Sequence, residues 1–241
     1  MEIKETGGIS VALNREFARI NSSLKVLGSE NGEHINLTSA IVENENKFSQ
    51  IGITDKKDYG LDFWRDGVYL AVGRAKDIQE LAKVLDFWLC QDVTTKSLCE
   101  NFTFVRSEEG AAEFDEGREI EYIWTCFLEK DDNYSGLSEF IILAAKDPIL
   151  SNLFPFTSMD TLCFSKCTGY PFDIAGMPNI IRKEFDQGNR LDVNPNNKIQ
   201  YVVRNDTRDY LGEGNAIEAL KIIKDNMPKN IQRARKGVAL E

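Results

Sequence analysis

Residues 61–72 read LDFWRDGVYLAV. Two alternating runs, Leu61 to Arg65 and Val68 to Val72, flank Asp66-Gly67. An Asp-Gly pair accepts positive φ at both positions, and that twist matches two flanking strands, so the stretch predicts a β-hairpin. Directly behind it, Asp77-Ile78-Gln79-Glu80 has the form of a capping box. Ile78, Leu81, Ala82, Leu85, Trp88 and Leu89 then fall on one helical face. Strand, tight turn, strand and capped helix in succession point to an α+β fold, with antiparallel hairpins packed against helices.

The same plan returns late in the chain. YLAVGRAKDIQELAKVLDF (69–87) and YLGEGNAIEALKIIKDN (210–226) each run from a strand end through glycine and a capping box into a helix. In the second, Asn215 caps, Glu218 answers it, and Ala216, Ala219, Leu220 and Ile223 share a side. This suggests two β-β-α modules joined by a helical middle. The matching division is 1–105 and 106–241, or one continuous domain.

Between and around the modules, periodicity sets further expectations. Phe17, Ile20, Leu24 and Leu27 predict a helix over 14–27 with turn residues at 29–32. Ile35, Leu37 and Ile41 predict the buried face of a strand, and Ile51 and Ile53 a second one beyond the turn at 43–46. Helices are expected over 94–101, around Ile120, Ile123, Trp124 and Leu128, and over 137–145. Asp147-Pro148 should start a short one ending near Leu153. Strands follow at 161–165 and 199–203, with Tyr210-Leu211 as partner and loop at 187–197. The basic tail, 229–236, is expected to fray.

The net charge of −10 argues against a nucleic-acid binder, which needs basic surface for phosphate. The opening MEIKETGGIS lacks a basic start and an apolar run, and no apolar run is long enough for a bilayer. A cytoplasmic protein with no membrane partner is expected. The five cysteines, an odd number in apolar surroundings, read as reduced thiols.

The chemistry-bearing residues form no catalytic set. His34 is the one histidine, which excludes a histidine triad and a multi-histidine metal site. Cys163 and Cys167 have no second pair at metal-ligand spacing. Gly212-Glu213-Gly214 precedes a helix but matches no phosphate loop. No catalytic, cofactor or metal site is therefore expected. What remains is an acidic run, SEEGAAEFDEGREIEY (107–122). Continued helically, Glu109, Glu113 and Glu116 share a face. Solvated surface is the ordinary reading of such a run, and a docking face for a cation or basic partner is the sharper one. In the second case Glu109, Glu113, Asp115, Glu116 and Glu119 would make the contacts, with Tyr122 and Trp124 as aromatic anchors.

LFPFTSMDTLCFSKCTGYPFD (153–173) is the densest stretch. Its alternating Leu153, Phe154, Phe156, Leu162 and Phe164 read as core, with a hydroxyl-rich edge from Thr157 to Ser165.

GRAKDIQELAKVLDFWL (73–89), Phe102-Thr103-Phe104-Val105, the stretch 153–173 and YLGEGNAIEALKIIKDNMP (210–228) together resemble an uncharacterised bacterial family grouped loosely with natural-product-biosynthesis proteins. The resemblance spans about 60–228. It implies a shared fold and supplies no catalytic residue. By analogy, small acidic cytosolic proteins of this kind include immunity proteins that neutralise toxins. The expected function is a cytosolic non-enzymatic binding protein, an immunity protein or antitoxin whose acidic surface meets a cognate toxin with a basic surface. The alternative is an enzyme or accessory protein in natural-product biosynthesis, and an adaptor module is the residual case.

Overall fold

The computed structural model describes residues 7–26, 38–54, 58–129, 136–186 and 198–240. His34, Ile35, Leu37, the turn at 29–32 and the loop at 187–197 lie outside them. The chain divides into two units, Met1–Gly117 and Arg118–Glu241.

The first unit runs α1 (Ile9–Arg19), β1 (Ser39–Asn44), β2 (Lys47–Ile53), β3 (Tyr59–Arg65), β4 (Val68–Ala75), α2 (Ile78–Cys90), α3 (Thr95–Asn101), β5 (Val105–Ser107) and α4 (Ala111–Asp115). Its five strands form one antiparallel sheet in chain order. The Asp-Gly turn forms as expected, with φ of 55° at Asp66 and 75° at Gly67. An extra residue on β4 bulges the ladder between Phe63 and Trp64. The Asp77 carboxylate accepts from Glu80 N at 2.8 Å and caps α2. Ile9, Leu13 and Phe17 of α1 and Leu81, Leu85 and Trp88 of α2 share one core with Val42, Ile51, Leu61 and Phe63 of the sheet.

Two expectations are corrected here. The first helix begins five residues earlier than its apolar spacing predicts and stops at Arg19. Asn21 turns left-handed at φ 56°, and the Asn14 side chain receives Val26 N at 2.9 Å, so Leu24 reaches the core from extended chain. The face of β1 is also reversed: Ala40 and Val42 are buried and Ile41 is 52% exposed. A one-residue slip in reading a strand turns every side chain over.

The second unit runs α5 (Glu119–Glu129), α6 (Ser138–Ala144), a 3-10 turn (Leu150–Asn152), β6 (Phe154–Ser158), β7 (Thr161–Ser165), β8 (Asn179–Arg182), α7 (Lys183–Asp186), β9 (Tyr201–Arg204), β10 (Tyr210–Gly214) and α8 (Ala216–Asn226). Its strands again form an antiparallel sheet, ordered from β10 to β6. The fold is α+β, and the β3-β4-α2 and β9-β10-α8 successions both form within larger sheets. Asn215 and Glu218 complete the capping box of α8.

The stretch 153–173 becomes a β6–β7 hairpin and a closing loop. Leu162 and Phe164 are buried, while Thr161 and Cys163 face the other way. Beyond β7 the chain wraps the buried Cys167. Its Sγ receives Asp173 N at 3.1 Å, and the peptide bond before Pro171 is cis. The tail does not fray. Thr168 N donates to Arg235 O at 3.1 Å, Gly169 N to Gly237 O at 2.8 Å and Ala239 N to Pro171 O at 2.8 Å. The tail thus satisfies backbone groups of the loop that would otherwise lack partners.

Asp147 joins α6 to the 3-10 turn. Its carboxylate accepts from Ile149 N and Leu150 N and pairs with Lys224 of α8 at 2.6 Å. Burial works against the charge, but Lys224 and the two N–H groups outweigh it and hold the carboxyl below its ordinary range. A depressed carboxyl contributes stability that is present above the unfolded pKa of about 3.9 and is lost as pH falls through the folded value. Asp147→Ala should therefore cost about 1–2 kcal/mol at neutral pH, as lost caps do. In urea melts the gap to the parent should narrow below about pH 4.

Candidate functional site

The acidic run is divided by the fold. Glu109, Glu113, Asp115 and Glu116 close the first unit, and Glu119, Tyr122 and Trp124 open the second. Three of these seven side chains are held inside their own units. The Asp115 side chain is 6% exposed, ion-paired with Arg65 and hydrogen-bonded to Thr95 N at 2.7 Å. Glu119 is 5% exposed. Trp124 is 5% exposed, donates its indole N–H to Leu153 O at 3.2 Å, and lies 6.4 Å from the rings of Phe127 and Phe164. Glu109 and Glu116 are exposed, and Glu113 and Tyr122 are half-buried.

Charge patterning gave no hint of a groove of about 650 Å³ in the second unit. α8 packs against β9 and β10, and α5 against β6. Side chains that alternate away from Leu162, Phe164 and Ile180 make the floor: Phe156, Thr161, Cys163 and Ile181, with Asn179 and Ser158 at its margins. Register places Thr161 opposite Ile181 and Phe156 opposite Cys163.

Arg204 builds the rim. Its Nε and Nη2 donate to the two Asp186 oxygens at 3.0 and 2.9 Å, which fixes α7 beside the sheet. Its Nη1 donates to Arg208 O at 2.9 Å, which fixes the following turn. Within that turn Asn205 Oδ1 accepts from Asp209 N and Thr207 Oγ1, and Asp206 reaches out to Gly176 N at 2.7 Å. The groove is therefore framed by bonds already made in the free protein. Its volume lies in the range of small-molecule sites, which are usually preformed and mostly apolar.

The groove's thiol is unsuited to attack. Burial pushes Cys163 up to about 11, so at pH 8 roughly a thousandth is thiolate. Cys163 should resist iodoacetamide at pH 8 and react steeply only as pH approaches about 11, read by peptide mass spectrometry. Exposed Cys90 is also shifted up by burial and by Asp86, and it serves as the accessible reference. Ser158 and Thr161 offer hydroxyls for hydrogen bonding. Among the described residues no group of three or more His, Cys, Asp or Glu side chains is placed to hold a metal ion. No helix among them is long and apolar enough to cross a membrane.

A floor of alternate strand residues under a charged, pre-bonded rim defines an α+β protein with a ligand-sized groove in its second unit. The chain belongs to DUF6193, a family of unknown function, whose model matches residues 118–238. Two of the four stretches behind the sequence resemblance, 153–173 and 210–228, fall within that match, and 73–89 and 102–105 fall outside it. No curated protein and no solved structure matches the chain.

Proposed function

We propose that the chain is a non-enzymatic binding protein that holds its ligand in the groove of the second unit. The framed groove carries this reading. It offers Phe156, Ile181, Ile174 and Phe185 as apolar surface, Ser158, Thr161 and Asn179 as hydrogen-bonding groups, and the guanidinium of Arg208 at the rim. Its one thiol is protonated at neutral pH, which favours holding over reacting. A metabolite-sized occupant would make the protein an accessory to natural-product biosynthesis. The test is native mass spectrometry of the protein purified from its own cells. The expected result is a small-molecule adduct that Ile181→Asp, which puts a charge in the apolar floor, removes. A parent protein free of adduct that also gives no thermal shift across a metabolite panel would sink this reading.

A second reading, an immunity protein or antitoxin for a basic toxin, is favoured by the carboxylates of exposed Glu109 and half-buried Glu113, for which no ion pair forms among the described residues. A stoichiometric basic partner in pull-downs, lost at high salt and lost with Glu109→Lys plus Glu113→Lys, would support it.

A further inference from the structure

The first sheet has an open face as well. Buried residues alternate with Ile41 and Glu43 on β1, Phe48, Gln50 and Gly52 on β2, Gly60, Asp62 and Trp64 on β3, and Tyr69, Val72 and Arg74 on β4. Register sets Phe48 opposite Trp64 and Trp64 opposite Tyr69. The three rings make a row, with centroids 5.2 and 5.4 Å apart. Beside them lies a trough of about 400 Å³, lined by Gln50, Gly52, Gly60, Asp62, Tyr69 and Val72.

Two observations set this trough apart from ordinary sheet surface. The first is its pair of glycines. Gly52 and Gly60 face each other across β2 and β3. Neither has a positive φ. A Cβ on Gly52 would meet nothing within 4 Å, and one on Gly60 would make ordinary contacts, the nearest at 3.5 Å to Thr54. Neither backbone conformation nor packing therefore demands glycine, although glycine weakens a strand. Such positions commonly mark close approach of a ligand or another chain.

The second is Asp62. It is half-buried and lines the trough, and its carboxylate accepts from Gln50 N at 2.6 Å. Burial pushes its pKa up. It makes no ion pair among the described residues. Arg74 is paired with Asp58 at 3.7 Å. Arg106 stands opposite Val72, and Val72 opposite Asp62, which puts it two strands away, roughly 10 Å. A half-desolvated carboxylate with no ion pair among the described residues is a cost that a bound cation removes.

We propose that this trough receives an arginine side chain presented by a protein partner. A guanidinium suits it better than an ammonium, since its plane can lie along the aromatic row while its N–H fork meets the carboxylate. The surface lies outside the family match and does not depend on what fills the groove of the second unit. It would give a basic partner of the second functional reading a specific point of entry.

The test titrates the ¹⁵N-labelled full chain with a tetra-arginine peptide, and with its neutral citrulline counterpart. Of the indole N–H signals of Trp64, Trp88 and Trp124, only that of Trp64 should shift, saturably, and only with arginine. Asp62→Asn should weaken binding roughly tenfold or more. Gly52→Val fills the trough on a strand that tolerates it. It should abolish binding without lowering the melting temperature. Equal binding of the citrulline peptide, unchanged affinity in Gly52→Val, or arginine-induced shifts that spare Trp64 would each overturn the proposal. Overturning it leaves the pull-down test of a basic partner untouched.

Discussion

Asp115→Ala should destabilise the protein by about 3–5 kcal/mol, the usual cost of breaking a buried ion pair from one side. Arg65, 9% exposed, would lose the carboxylate it is paired with. Its guanidinium lies 5.7 Å from the Trp88 ring centroid, and its Nη1 makes a long contact, 3.4 Å, to Val93 O. Buried Lys47 stands 4.8 Å over the same ring and donates to Trp88 O at 3.1 Å and Gln91 O at 2.6 Å, at the C-terminal end of α2. Asp115 therefore serves a corner that holds two cations. Burial, with Arg65 as a further cause, already lowers the Lys47 pKa, against the pull of Asp92, Asp66 and Glu45. Removing Asp115 also leaves Thr95 N without its acceptor at the start of α3. Urea denaturation at neutral pH reads the loss directly. A variant as stable as the parent would place Asp115 back among solvent-facing carboxylates.

Trp124→Ala should cost a similar amount, about 3–5 kcal/mol, in the second unit. The indole fills space between Phe127 and Phe164, and its N–H satisfies Leu153 O just before β6. Truncation opens a cavity and strands a buried carbonyl. Trp124→Phe keeps most of the ring contact and should lose about 1–2 kcal/mol, mainly from the hydrogen bond. Such a ladder of losses distinguishes a core residue from an interface anchor, whose truncation would leave the free protein's melt unchanged.

Local chemistry was the legible part of this chain. The Asp66-Gly67 hairpin, the caps at Asp77 and Asn215, and the helices around Trp88 and Ile120 depend on neighbours a few residues away, so sequence spacing shows them. The β6 strand was hidden because Pro155 sits inside it, which only an edge strand tolerates. β8 spans four residues, too few for an alternation to stand out. Ile41 looked like core because hydrophobicity does not say which face of a strand is turned inward. Burial of Asp115 was equally invisible, since its partner is fifty residues distant. The groove draws on β6, β7, β8, α7 and the turn after β9, and no local pattern brings Phe156, Ile181 and Arg204 together.

Both sheets are laid down in the order in which the chain is written: each strand's sheet neighbours are the strands before and after it in sequence. As the chain leaves the ribosome, every new strand thus meets a finished edge, and no strand has to wait for a distant segment before it can pair. Synthesis can zip each sheet from its first hairpin onward, which keeps loop-closure entropy low for a β-rich protein and shortens the exposure of sticky edges. The closing contact of the second unit comes last, when the tail reaches the loop around Cys167.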